Sequence, residues 1–139
     1  MTRRAARLLG VALWATGGGC QSPSADDAVT SHVLAYMECD ECTAGELLAV
    51  RADGDHATPI LRTYVLDGPP DGQKDRKRQE LFRWQAGVLH DSSPGFLPGS
   101  QRLFDNYTLR YRSRAANALR HIGTPAARAA LCAAHLGPC

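Results

Sequence analysis

The 139-residue sequence has few aromatic residues, no large excess of either charge and no long apolar run. Aromatic residues make up 6%, and 16 Lys and Arg face 14 Asp and Glu. No apolar stretch approaches the roughly 18 residues that a membrane-spanning helix needs. The length accommodates one domain, and 44% hydrophobic residues indicate a globular chain rather than a disordered one. Because the sequence also lacks a convincing strand pattern, it favours an all-α fold.

The N-terminus has the layout of an export signal: arginines at 3, 4 and 7, a short apolar stretch, and small residues that end at Cys20. This layout resembles a bacterial lipoprotein signal. The resemblance implies that 1–19 is removed and that Cys20 carries acyl chains through its sulfur. Gln21 in the next position implies the outer membrane by the same resemblance. The alternative is an ordinary secretory signal in which Cys20 is incidental.

Removal of the signal leaves 13 basic against 14 acidic residues, a net charge of −1. The cluster of basic residues at 74–78 is therefore interpreted as a solvated helix face, and we expect no nucleic-acid partner. The polar stretch Gln21–Asp27 has no apolar period, so we expect a lipidated flexible tether over 20–36 and a helical domain over 37–139.

Capping and stop residues divide the domain into about five helices. Thr43 and Glu46 have the spacing of a capping box, and Gly54 ends that first helix. Asp55 is the predicted N-cap of the second helix, which stops at Gly68-Pro69-Pro70. The third helix is predicted over 73–89, a loop over 91–99, and the fourth helix from near Ser100 to Gly123. Thr124 and Pro125 open the last helix, which is predicted to reach Leu136.

Two of the predicted corners match when they are aligned on their glycines. Gly54, Asp55 and Ala57 align with Gly123, Thr124 and Ala126. The pattern resembles HEAT-like repeats of the phycobilisome-lyase type, carried by 114–131 and less clearly by 46–66. The resemblance implies a short HEAT-like, armadillo-like helical array. The offset of 69 residues is about two repeat lengths, so the middle unit is either degenerate or replaced by an inserted helical hairpin. A generic small helical bundle is the alternative.

Four cysteines remain after Cys20, and in an exported protein an even number favours disulfides. We favour the local pairs Cys39–Cys42 and Cys132–Cys139 over crossed pairs that join the two ends of the domain. A redox-active Cys39-x-x-Cys42 is disfavoured because the neighbouring Glu38, Asp40 and Glu41 oppose a thiolate. Zinc held by these cysteines and His135 is a further alternative.

No residue set suggests catalysis, a cofactor or a small-molecule substrate, since the five histidines are scattered and no phosphate loop or paired-carboxylate motif is present. We therefore expect a non-enzymatic, membrane-anchored scaffold that binds an unidentified protein partner. Candidate contact residues are Phe96, Leu97, Phe104, Tyr107 and Tyr111, each of which also suits a core position. An envelope thiol–disulfide or zinc protein is the alternative function.

Overall fold

The computed structural model describes residues 24–139, which form six α-helices and, within that range, no strand. A 3₁₀ turn, Gly54–His56, joins α2 to α3. The prediction of an all-α fold is confirmed, with one more helix than expected. The helices are α1 Ala25–Glu38, α2 Ala44–Asp53, α3 Thr58–Asp67, α4 Asp71–Val88, α5 Pro98–Ile122 and α6 Pro125–Ala133.

The additional helix is α1, and the predicted tether over 20–36 is therefore wrong from Ala25 onward. Ser24 and Asp27 form a complete capping box, in which each side chain bonds the other residue's backbone N–H. Residues at helical spacing then enter the core. These are Val29, Val33, Tyr36 and Met37. The polar residues at 21–27 were interpreted as a tether, but residues that cap a helix are also polar, so this stretch contains the start of α1.

Helix α5 is the centre of the fold, and each of the other five helices packs against it. Its 25 residues span about 37 Å. Its C-terminal half buries Tyr111, Leu119 and three alanines in the main core. The alanines let neighbouring helices approach α5 closely, so the core forms around this half of the helix.

Two arginines of α5 bind the C-terminal ends of other helices. The Arg114 guanidinium donates to the carbonyl of Met37 at 2.8 Å, and Arg112 donates to the carbonyl of Val65 at 2.8 Å. The last carbonyls of a helix lack intrahelical partners and carry the negative end of its dipole. Arg114 and Arg112 therefore supply hydrogen-bond donors to carbonyls in the last turns of α1 and α3.

The two predicted corners lie beside each other. Gly54 and Gly123 both have positive φ, 55° and 68°. Thr124 accepts a hydrogen bond from the Ala127 amide, as predicted for an N-cap, and its hydroxyl donates to the Asp55 carboxylate. The prediction that Asp55 caps α3 is wrong, because the 3₁₀ turn delays α3 to Thr58 and frees the carboxylate to reach the other corner.

The helices that flank the two corners pack differently. At the second corner, helix α6 packs against α5. At the first corner, α2 and α3 meet mainly at the 3₁₀ turn. Helix α2 packs instead on α1 and α5, and α3 packs on α5 and α6. The HEAT-like repeat therefore stays a prediction that rests on the matched corners.

Local chemistry fixed most other boundaries to within about three residues. Thr43 caps α2 by accepting from the Gly45 amide, but the Glu46 carboxylate accepts from the Thr43 hydroxyl, so only half of the capping box forms. Helix α4 begins two residues before the predicted start. Helix α6 ends at Ala133 rather than Leu136, because the chain turns at His135, which has a positive φ of 56°.

Candidate interaction cleft on the α4–α5 hairpin

Residues 71–108 form an antiparallel helical hairpin that extends beyond the main core. It consists of α4, the connecting loop and the first half of α5. Arg78 and Phe104 lie at one level of the hairpin, and Gln85 and Ser100 at a level further out. None of the α4 side chains belongs to the main core, although Leu81 and Gln85 are buried against α5. The segment predicted as either a degenerate repeat or an inserted hairpin thus has the form of a hairpin.

Gln85 holds the hairpin loop in place. Its side chain is fully buried, and its amide donates to the Gly95 carbonyl at 3.2 Å. Its oxygen accepts from the Leu97 amide at 3.1 Å and from the Ser100 hydroxyl at 2.8 Å. A buried amide with satisfied partners fixes geometry, since an unmet partner would carry a desolvation penalty.

Replacement of Gln85 by alanine is expected to loosen the loop, with a loss of about 1–3 kcal/mol from the buried partners left without bonds. Hydrogen exchange at the Leu97 amide measures this directly. Gln79→Ala, in the exposed part of the same helix, is the matched control. Unchanged protection of Leu97 in the Gln85→Ala variant would show that Gln85 does not hold the loop.

The predicted contact residues are divided between packing and surface. Phe96 packs between Phe82 and Phe104, with ring centroids 4.5 and 5.9 Å apart, and Leu97 is half-buried beside them. Tyr111 is fully buried. Phe104 also borders a separate cavity beside Lys74 and Arg112, and Tyr107 lines an open cleft.

That cleft runs between α4 and α5 and has an apolar half of about 510 Å³. Leu81 lies at its floor, while Trp84 and Leu103 remain 39% and 44% exposed. The ring of Tyr107 lies between Lys77 and Arg110, whose charged groups are 5.7 and 5.9 Å from its centroid. The full lining is Lys77, Glu80, Leu81, Trp84, Leu103, Asn106, Tyr107 and Arg110. Trp84 stays exposed because, among residues 24–139, no helix covers this face of α4.

The cleft continues into a charged half of about 400 Å³, towards the end of α1. Four residues belong to both halves: Lys77, Glu80, Tyr107 and Arg110. Lys77 pairs with Glu80 at 2.7 Å and Arg110 with Asp40 at 3.4 Å. Such exposed pairs contribute little to stability, so these side chains are available to a ligand at low cost.

Tyr111 closes the cleft towards the core. Its hydroxyl donates to the Glu38 carboxylate, and its ring packs on Tyr107 at 5.1 Å and on Tyr64 at 5.9 Å. Burial raises the pKa of Tyr111 well above its ordinary value of 10.0, and the bond to Glu38 raises it further. Burial also raises the pKa of Tyr64. These phenols are neutral structural groups.

The cysteines lie in two separate local pairs. The structure joins Cys39 to Cys42, in the turn between α1 and α2, and Cys132 to Cys139, at the C-terminus. The favoured local pairing is thus the one observed, and the four are not gathered around one point with His135. Among residues 24–139, no three or more His, Cys, Asp or Glu side chains are arranged to hold a metal ion.

The predicted signal peptide and the lipidation site at Cys20 lie outside the described residues. Within 24–139, no helix combines the length and apolar character needed to cross a membrane. Comparison of the chain with protein-family models, curated proteins and solved structures found no match.

Proposed function

We propose that this protein is a lipid-anchored, non-catalytic interaction module of the bacterial cell envelope, with HEAT-like corners and a helical hairpin that binds a protein partner. The layout of the first 20 residues supports export and attachment through Cys20. Gln21 supports the outer membrane by resemblance. The hairpin supplies the contact surface.

The observation that carries the proposal is an apolar patch at the outer end of the hairpin. We define the hairpin patch as three exposed residues, Trp84, Val88 and Leu103. Trp84 and Leu103 line the same cleft, and Val88 lies one helical turn from Trp84. A cluster of large apolar side chains on a projecting element is typical of an interaction site, and tryptophan is enriched among residues that dominate binding energy.

The partner that fits this surface is an amphipathic helix of another envelope protein. Trp84 and Val88 are one helical turn apart, so they present the ridge that helix-in-groove recognition uses. Arg83 and Arg102 are exposed and precede Trp84 and Leu103 in the sequence, which favours carboxylates beside the partner's apolar stripe.

Capture from detergent-solubilised envelope extracts tests the proposal. We expect the wild-type chain to retain a partner and the Val88→Asp variant to retain at least about tenfold less, since a charge in a buried contact is strongly unfavourable. Leu109→Asp is the matched control, because Leu109 is 60% exposed, as is Val88, but lies outside the hairpin patch. Equal retention by the two variants, or no retained partner, would contradict the proposal.

Thiol–disulfide exchange or zinc binding at Cys39-x-x-Cys42 is the alternative function. It has less support, because Cys39 and Cys42 are flanked by Glu38, Asp40 and Glu41. The disulfide between them also leaves no thiolate to bind zinc. Those carboxylates oppose the thiolate that either chemistry requires.

A further inference from the structure

The cleft on the hairpin has two chemically different halves that meet without a barrier. The apolar half is formed by Leu81, Trp84 and Leu103, and the charged half lies beyond Tyr107. The volumes of about 510 and 400 Å³ each fall in the range of ligand sites, about 300–1,000 Å³. An occupant that fills both halves has an apolar body and a polar head.

The charged half contains equal numbers of basic and acidic side chains. Three cations, Arg76, Lys77 and Arg110, face three carboxylates, Glu38, Asp40 and Glu80. A ligand with a single charge is repelled by the side chains of the same sign, whereas a zwitterionic group can pair its positive charge with the carboxylates and its negative charge with the cations.

Two polar groups of the charged half have no hydrogen bond within the described chain. Gln73 contributes a buried side-chain oxygen without a partner among the described residues. Arg76 makes no side-chain hydrogen bond to another described residue, whereas Lys77 and Arg110 pair with carboxylates. Arg76 is exposed, so a ligand anion in the cleft would pair with it. The Gln73 oxygen is covered by the protein, so a ligand would reach it only after the Gln73 side chain moves.

We infer that the cleft binds a single-chain zwitterionic lipid. The acyl chain lies on Leu81, Trp84 and Leu103, the phosphate pairs with Arg76 and its neighbouring cations, and the primary ammonium donates to the carboxylates. This inference goes beyond the proposed protein partner and does not depend on it. A lipid in the cleft covers Trp84, so it would compete with a partner on the hairpin patch.

Trp84 provides the measurement, because it is the one tryptophan after the predicted signal peptide, the other being Trp14. The mature chain, with Cys20→Ser to prevent acylation, is titrated with three lauroyl probes below their micelle concentrations. The probes are lysophosphatidylethanolamine, lysophosphatidylglycerol and monolauroylglycerol, which share a chain and carry zwitterionic, anionic and uncharged heads. We expect a saturable blue shift of Trp84 emission and at least about tenfold tighter binding of the zwitterionic probe, because its head makes charge-assisted hydrogen bonds.

Two variants separate the halves of the cleft. Leu103→Asp, in the apolar half, is expected to weaken binding of the zwitterionic probe at least about tenfold, with Leu109→Asp on the same helix as control. Arg76→Gln, in the charged half, is expected to weaken it about fivefold or more. Arg83→Gln is its control, since Arg83 is on the same helix and outside the cleft.

Absence of a shift with lysophosphatidylethanolamine would overturn the inference. So would equal affinity for the uncharged probe, which indicates apolar adsorption alone, or tighter binding of the anionic probe. Unchanged affinity in Leu103→Asp or Arg76→Gln places the lipid elsewhere and also overturns it. Val88→Asp should still bind the lipid, so that loss of partner capture and loss of lipid binding are separate outcomes.

Discussion

Replacement of Leu61 by alanine is expected to lower the free energy of unfolding by about 2–5 kcal/mol. Leu61 is fully buried on α3, in the main core that α3 shares with the C-terminal half of α5. Alanine removes the apolar contacts and leaves a cavity, and both effects destabilise the folded state. Urea denaturation followed by circular dichroism at the helix band measures the change.

Leu66→Ala is the matched control for Leu61→Ala. Leu66 belongs to the same helix, five residues further on, but is 37% exposed and lies outside the main core. Its truncation is expected to cost less than about 1.5 kcal/mol, since less apolar area returns to water. Similar losses for the two variants would mean that the core does not form around Leu61 as described.

Replacement of Gly68 by alanine is expected to cost about 2–4 kcal/mol, from two separate effects. Gly68 ends α3 with φ 75° and ψ −154°, a region that residues with a side chain rarely adopt. An added Cβ would also lie 2.9 Å from the Cγ2 methyl of Thr108 on α5. The glycine therefore permits both the chain reversal after α3 and the close approach of α5.

A double-mutant cycle separates the two effects. In a Thr108→Ser background the methyl is absent, so the cost of Gly68→Ala should fall by about 1 kcal/mol or more. Gly72→Ala, four residues on in the first turn of α4, is the control, because nothing lies within 4 Å of its added Cβ. It should be neutral or stabilising by less than about 1 kcal/mol. A full cost for Gly68→Ala in the serine background would contradict steric contact with Thr108.

Helix ends were predictable where the determining contacts lie within a few residues. Gly123, Thr124 and Pro125 end one helix and begin the next as the sequence indicates, because a left-handed glycine, a capping hydroxyl and a first-turn proline act locally. The local disulfides belong to the same class, since each closes a loop of only a few residues.

The same local reasoning misplaced Asp55 and missed α1. Asp55 has the chemistry of an N-cap, but its carboxylate accepts from Thr124, which is 69 residues away. A short polar stretch ahead of Val29 and Val33 is equally compatible with a tether and with a capped helix start. The burial of α1 against α2 and α5 is a long-range contact, which no pattern over a few residues contains.

The candidate site shows the same division. The sequence identified Phe96, Leu97, Phe104, Tyr107 and Tyr111 as aromatic and apolar contact candidates, but not which of them are covered. Exposure of Trp84 and Leu103 depends on whether another helix packs over α4, and within the described chain only α5 lies along it. The charged half of the cleft joins α1, α4 and α5, so its composition also depends on tertiary packing.

The amino-acid sequence by itself determined that the chain is helical, where most helices begin and end, and which cysteines are close enough to pair. These properties follow from backbone hydrogen bonding and side-chain caps that act over one helical turn. Only the tertiary structure decided that α5 is central, that the two glycine corners touch, and that one end of a hairpin keeps its tryptophan exposed. Burial is a property of the whole packed arrangement, because it depends on every helix that does or does not cover a given side chain.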